Sequence, residues 1–167
     1  MRRLIVLAAL AALIIVPTAL AALPQGGQDD GTLSVRRGRG LVVLRFRGAV
    51  IGRIAHGSVR VTDPIVDDGQ GAEFFGCDNT HRDVSDTTSV CRGDDVRFRA
   101  IGGRYSVKVS GSGIFLSAVG RGKVTMNGIG DPEAGIFNDG GYSFNGDDYQ
   151  SLPDDPTTFI LSAPPGG

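Results

Sequence analysis

Two stretches of this chain align without a gap at a spacing of 65 residues, and this repeat constrains the fold more than any other feature. The stretches are residues 33–61 and 98–126. Five aligned pairs keep an apolar residue: Leu44/Val109, Val50/Phe115, Ile51/Leu116, Ile54/Val119 and Val61/Met126. Six pairs are identical: Gly38/Gly103, Arg39/Arg104, Val42/Val107, Gly48/Gly113, Gly57/Gly122 and Val59/Val124. A repeat of this kind predicts one structural unit used twice.

Apolar and polar residues alternate within both copies. Residues 41–47 and 96–100 show a period of two, which is typical of strands with one buried face. Glycines such as Gly48, Gly57 and Gly111 are expected to turn the chain between short strands. The sequence therefore predicts an all-β fold, a single sandwich or small barrel built from two strand meanders. A β-solenoid is the alternative.

The chain is long enough for one core, so the repeat and its flanking segments are expected to form a single domain. The tail is predicted to form strands at residues 141–144 and 158–161, the second of which is expected to cover a sheet edge. The predicted organisation is a signal peptide at 1–21, a flexible lead-in at 22–31, an all-β domain at 32–162 with an acidic insert at 62–95 and a loop-rich tail at 127–162, and a flexible terminus at 163–167.

The N-terminus has the pattern of an export signal. Arg2 and Arg3 precede the apolar run Leu4–Val16, and Ala19-Leu20-Ala21 has small residues at the positions that signal peptidase reads. We expect cleavage after Ala21 and a protein that is secreted or associated with the cell envelope. The alternative is an uncleaved anchor, although the run is shorter than the roughly 20 residues that a membrane-spanning helix needs.

Two cysteines, Cys77 and Cys91, are predicted to form a disulfide within the insert. An exported protein meets an oxidising compartment, and one bond would close a loop of 15 residues. Such a bond stabilises the fold by about 3 kcal/mol on loop entropy. A metal site that adds His81 is the alternative, but the spacing matches no zinc pattern, and no cofactor is predicted.

Positive and negative charges are separated along the chain. Residues 31–62 and 96–130 contain no Asp or Glu, while the acids are concentrated in the insert and the tail. One hypothesis is a cationic strand face that contacts an anionic cell-wall polymer or lipid headgroups. The other is that the arginines only solubilise the strands and that acidic loops neutralise them. The candidate binding residues are Arg45, Arg47, Arg97, Arg99 and Lys108.

Net charge does not indicate a specific nucleic-acid partner, since the formal value is −1. Oligomeric state is not predicted. Acidic pairs in the tail offer oxygen ligands of the kind that calcium prefers, but none has EF-hand spacing, and solvated turn aspartates are the alternative. The calcium candidates are Asp147, Asp148, Asp154 and Asp155.

No catalytic signature is present, and no enzyme activity is predicted. The chain has two histidines, His56 and His81, and no Gly-x-Ser-x-Gly motif. The alternative function is an extracellular hydrolase with its site on the acidic insert and loops.

The segment from Phe98-Arg-Ala-Ile-Gly-Gly-Arg-Tyr105 to Leu116-Ser-Ala-Val-Gly-Arg-Gly-Lys-Val124 resembles one that recurs in small exported actinobacterial proteins with no assigned activity. This resemblance implies export and an all-β domain, and it implies no catalytic or ligand residue. The combined expectation is an exported, non-enzymatic β-domain with a structural or binding role at the cell envelope.

Overall fold

The computed structural model describes residues 29–65, 71–78, 82–85, 87–129 and 139–164. All strand pairings in these ranges are antiparallel, and none of these residues is helical. The predicted all-β class is therefore confirmed. The strands are β1 Gly31–Thr62, β2 Glu73–Phe75, β3 Arg82–Ser85, β4 Thr88–Gly128, β5 Gly141–Phe144, β6 Gln150–Ser151 and β7 Thr157–Leu161.

Several predictions fall on residues outside these ranges. They are the signal peptide at 1–21, most of the lead-in, and the candidate ligand His81. In the part of the chain that the structure describes, there is no helix with the length and apolar character needed to span a bilayer.

β1 and β4 are two long strands that pair with each other along three stretches. Val42 lies opposite Val109 on one side and Met126 on the other, and Val59 lies opposite Val109 and Cys91. The long strands bend so that their halves enclose one core, and the short strands extend the edges. The result is an open, sandwich-like antiparallel arrangement that does not close into a barrel. It also differs from the parallel rungs of a solenoid.

Glycines allow the long strands to bend without losing their partners. Gly48 and Gly120 lie opposite each other with φ angles of 151° and 153°, which L-residues with a side chain rarely adopt. A Cβ at Gly48 would overlap the carbonyl oxygen of Val119. The glycines predicted to reverse the chain are therefore corners inside continuous strands. Two partner strands carry glycine at the same point, so they bend together.

The core confirms the predicted inward residues of the strands. It contains Val42, Leu44 and Phe46 from β1 and Val96, Phe98 and Ala100 from β4. Both tail strands are also present: β5 covers the predicted residues 141–144, and β7 begins one residue early and pairs with Gly122–Met126. One continuous apolar interior thus joins β1, β4, β5 and β7.

In the middle of the two copies, residues that align without a gap do not point to the same side of the sheet. Leu116 is buried at 4% exposure, whereas its aligned residue Ile51 is 55% exposed. Ile54 is fully buried, whereas its aligned residue Val119 is exposed. A slip of one residue moves a strand residue to the opposite side of a sheet, so these aligned residues are not structurally equivalent.

The predicted disulfide between Cys77 and Cys91 is present, with an S–S distance of 2.03 Å. Cys91 is fully buried in β4, and Cys77 packs against the same core. The described residues of the insert form β2, β3 and the first part of β4, residues 88–95, and both short strands pair with β4. The bond joins the segment after β2 to β4 and is compatible with an oxidising extracellular environment.

Candidate functional site

The five predicted binding residues do not form one cationic face. Arg45 and Lys108 lie on the outer side of one half of the bent sheet, whereas Arg97 and Arg99 lie on the outer side of the other half. Arg97 pairs with Arg53, beyond the corner at Gly48. The five residues thus fall into two groups, separated by the bend of the strands.

The first surface, called here the basic face, brings cations from four neighbouring strand segments together. Arg47 lies directly opposite both Arg104 and Arg121. Side chains in such positions have Cβ atoms about 4.5–5.5 Å apart, and like charges there oppose each other. Arg45 is similarly opposite Lys123. The basic face consists of Arg45, Arg47, Arg60, Arg104, Lys108 and Lys123.

The basic face has no carboxylate partner among the residues that the structure describes. None of its six side chains makes an ion pair or hydrogen bond there. At its border, Arg121 contacts Asp29 at 3.1 Å. Among the described residues, like charges thus lie side by side on this face without an acidic partner.

A cavity of about 590 Å³ opens on this face between the arginines. Arg45, Arg47, Arg104 and Arg121 line it, together with the hydroxyl-bearing Thr62 and Ser106, the aromatic Phe46 and Tyr105, and Pro64. Guanidinium and hydroxyl groups are the donors that bind phosphate or carboxylate oxygens, and arginine does so with two parallel hydrogen bonds. The cavity has the chemistry of an anion-binding site.

On the second surface, the arginines already have partners. Arg97 contacts Asp95 at 2.8 Å, and Arg99 donates two hydrogen bonds to Glu73 at 2.8 and 2.9 Å. The guanidinium of Arg53 lies 4.5 Å above the ring of Phe115. The hypothesis that acidic segments neutralise the arginines therefore holds for Arg97 and Arg99.

Glu73 attaches β2 to the sheet edge in a pH-dependent way. Hydrogen bonding to Arg99 lowers the pKa of the Glu73 carboxyl from its ordinary 4.5. A depressed pKa means that the contribution of this contact to stability is present above 4.5 and lost as the pH falls through the lower folded value. We expect carboxyl NMR to show a Glu73 midpoint below 4.5, and Arg99→Gln to return it towards that value. An unchanged midpoint in Arg99→Gln would exclude Arg99 as the cause.

The calcium candidates are not assembled into a site. Asp147, Asp148, Asp154 and Asp155 are all exposed. Within the described ranges, no three His, Cys, Asp or Glu side chains lie close enough to hold a metal ion. All four lie outside the strands that the structure describes.

Among the described residues, His56 has the surroundings that most resemble the Ser–His–Asp arrangement of a hydrolase. Its Nδ1 lies 2.6 Å from Asp94, and Ser112 lies opposite it on the neighbouring segment. The imidazole and the carboxylate are both largely exposed, and no hydrogen bond joins His56 to Ser112 in the described structure. The arrangement therefore lacks the nucleophile–base contact and the exclusion of water that a hydrolase site uses.

No protein-family model matches this chain. Neither the curated proteins nor the solved structures contain a significant match. Function is therefore inferred from the geometry of the surface.

Sequence reasoning did not assign Arg104 and Arg121 to a site, although both line the cavity. Both lie in the acid-free stretch at 96–130, which is the signal that pointed to them. Their position beside Arg47 depends on strand register, which that signal does not contain.

Proposed function

We propose that this protein is an exported, non-enzymatic β-domain that binds an anionic polymer of the cell envelope through the basic face. One observation carries the proposal: Arg47 lies directly between Arg104 and Arg121. Arg121 has Asp29 as a partner, but Arg47 and Arg104 have no carboxylate partner among the described residues, and like charges opposite each other lower the stability of the free protein. A bound anion would offset the repulsion and use the exposed donors.

The arrangement of the basic face favours a polymer with repeated anionic groups. Alternate residues of one strand lie about 6.6 Å apart, and neighbouring strands lie about 4.8 Å apart. The cations from Lys123 to Arg60 thus extend over four strand segments. Several charges of one chain could be bound together, and the resulting affinity would exceed that of a single ion pair.

Export is supported by the signal-like N-terminus and by the disulfide. An internal repeat is supported by the register of the long strands. Val42 pairs with Val109 and Leu44 pairs with Val107, and a shift of 65 residues exchanges these two pairs. The two halves around this point would have an approximate two-fold relation.

The proposal is tested with a poly(glycerol phosphate) and with inorganic polyphosphate as ligands. We expect Arg45→Gln/Arg47→Gln/Arg104→Gln to weaken binding roughly tenfold or more at low salt, because each exposed ion pair contributes up to about 1 kcal/mol. Titration calorimetry across a salt series would measure the change. Binding by the unaltered protein is expected to weaken as salt rises.

The matched control is Arg36→Gln/Arg53→Gln/Arg97→Gln, which removes the same charge from the second surface. This control is expected to keep most of the affinity. An equal loss in both variants would show that net charge alone attracts the polymer. That result, or binding that does not respond to salt, would contradict the proposal.

A further inference from the structure

The second surface carries an exposed apolar patch, defined by Ile51, Phe75, Phe115 and Val119. Ile51 and Phe75 are 55% and 58% exposed, and Val119 is exposed beside them. A groove of about 490 Å³ is lined by Ile51, Phe75 and Phe115. These side chains face away from the core that the described residues form. The strand register places Arg97 and Arg53 between Phe75 and Phe115, so exposed apolar side chains and arginines alternate on this surface.

Arginines lie among these apolar side chains. Arg36, Arg53, Arg97 and Arg99 all line the same groove. Arg53 stacks on Phe115, and the guanidinium of Arg36 lies 4.4 Å above the ring of Tyr149. Neither Arg36 nor Arg53 has a carboxylate partner in the ranges that the structure covers. Apolar side chains beside cations are the composition that binds the interface of an anionic bilayer.

We propose that the apolar patch docks onto the surface of an anionic lipid bilayer. Ile51 and Phe75 would enter the interfacial region, and Arg36 and Arg53 would contact phosphate groups of the lipids. A second copy of the chain fits less well, because a self-complementary contact would bring two sets of these arginines together. The inference is independent of the polymer-binding proposal, since it uses the other surface.

The chain contains no Trp, so a single introduced indole reports the position of one surface. The test uses the full chain with Phe75→Trp, in vesicles of phosphatidylglycerol and in vesicles of phosphatidylcholine. We expect bromine on the acyl chains of the anionic vesicles to quench this indole. The matched control is Ile160→Trp on β7, which is 63% exposed beside Lys123 of the basic face. The control indole is expected to stay accessible to acrylamide in water.

A second variant separates the patch from attachment by the N-terminus. Ile51→Ser/Phe75→Ser keeps the N-terminal run and is expected to bind the anionic vesicles more weakly while retaining polymer binding. Equal quenching of the two indoles, or none at Phe75→Trp, would overturn the proposal. Protection of the Phe75→Trp indole by concentration-dependent dimers, without quenching by lipid, would overturn it in favour of a second copy.

Discussion

Gly48→Ala is expected to lower the free energy of unfolding by about 3 kcal/mol or more. Gly48 has a φ of 151°, so a side chain there is strained whatever the space around it. The new Cβ would also overlap the carbonyl oxygen of Val119 and approach the Cα of Gly120 to 2.7 Å. Since both obstacles are backbone atoms of the partner strand, the overlap can be removed only if the two strands move apart at this corner. Urea denaturation would measure the loss.

Gly71→Ala is the control for this prediction, because a Cβ at Gly71 would meet nothing within 4 Å. Its effect is expected to stay within about 0.5 kcal/mol. A Gly48→Ala protein as stable as the Gly71→Ala protein would show that the corner does not require glycine.

Leu116→Ala is expected to cost about 2–5 kcal/mol, whereas Ile51→Ala is expected to change stability by less than about 1 kcal/mol. The two residues are aligned in the repeat and have similar volumes, but only Leu116 is buried. Truncating Leu116 would leave a cavity in the core, while Ile51 already contacts water. Denaturation of the two variants under the same conditions compares them directly.

Similar losses in Leu116→Ala and Ile51→Ala would contradict the register of this region, since they would mean that both side chains face the core. The comparison also bears on function, because Ile51 belongs to the apolar patch. An Ile51→Ala protein of normal stability is suitable for binding experiments.

The corner at Gly48 also connects the two proposed surfaces. Arg47 of the basic face immediately precedes Gly48, and Ile51 of the apolar patch follows three residues later. Both side chains point outward on the same strand. The bend therefore directs neighbouring outward positions to different surfaces, so that one could contact a bilayer and the other a soluble polymer.

Much of the local structure was predictable from residue order. Alternation at residues 41–47 and 96–100 identified buried and exposed sides of strands, because side chains in a strand alternate with a period of two. The pairing of Cys77 with Cys91 was predictable because the chain contains no other cysteine. The strand at residues 141–144 was recognised between glycine-rich segments.

The candidate site was only partly predictable. The absence of acids from residues 31–62 and 96–130 pointed to Arg45, Arg47 and Lys108. These three cations have no carboxylate partner among the described residues. The same signal could not show that Glu73 reaches Arg99, since their contact joins residues far apart in the chain. The acid-free stretches also could not show that Arg97 and Arg47 lie on different surfaces.

The sequence alone determined the all-β class, the inward and outward alternation within each strand, and the supply of positive charge. These properties depend on neighbouring residues in the chain. Only the tertiary structure decided that glycines form corners, that Arg47 lies between Arg104 and Arg121, and that Ile51 is exposed while Leu116 is buried. Those outcomes depend on the register between β1 and β4, because a shift of one residue would turn every side chain to the opposite face of the sheet.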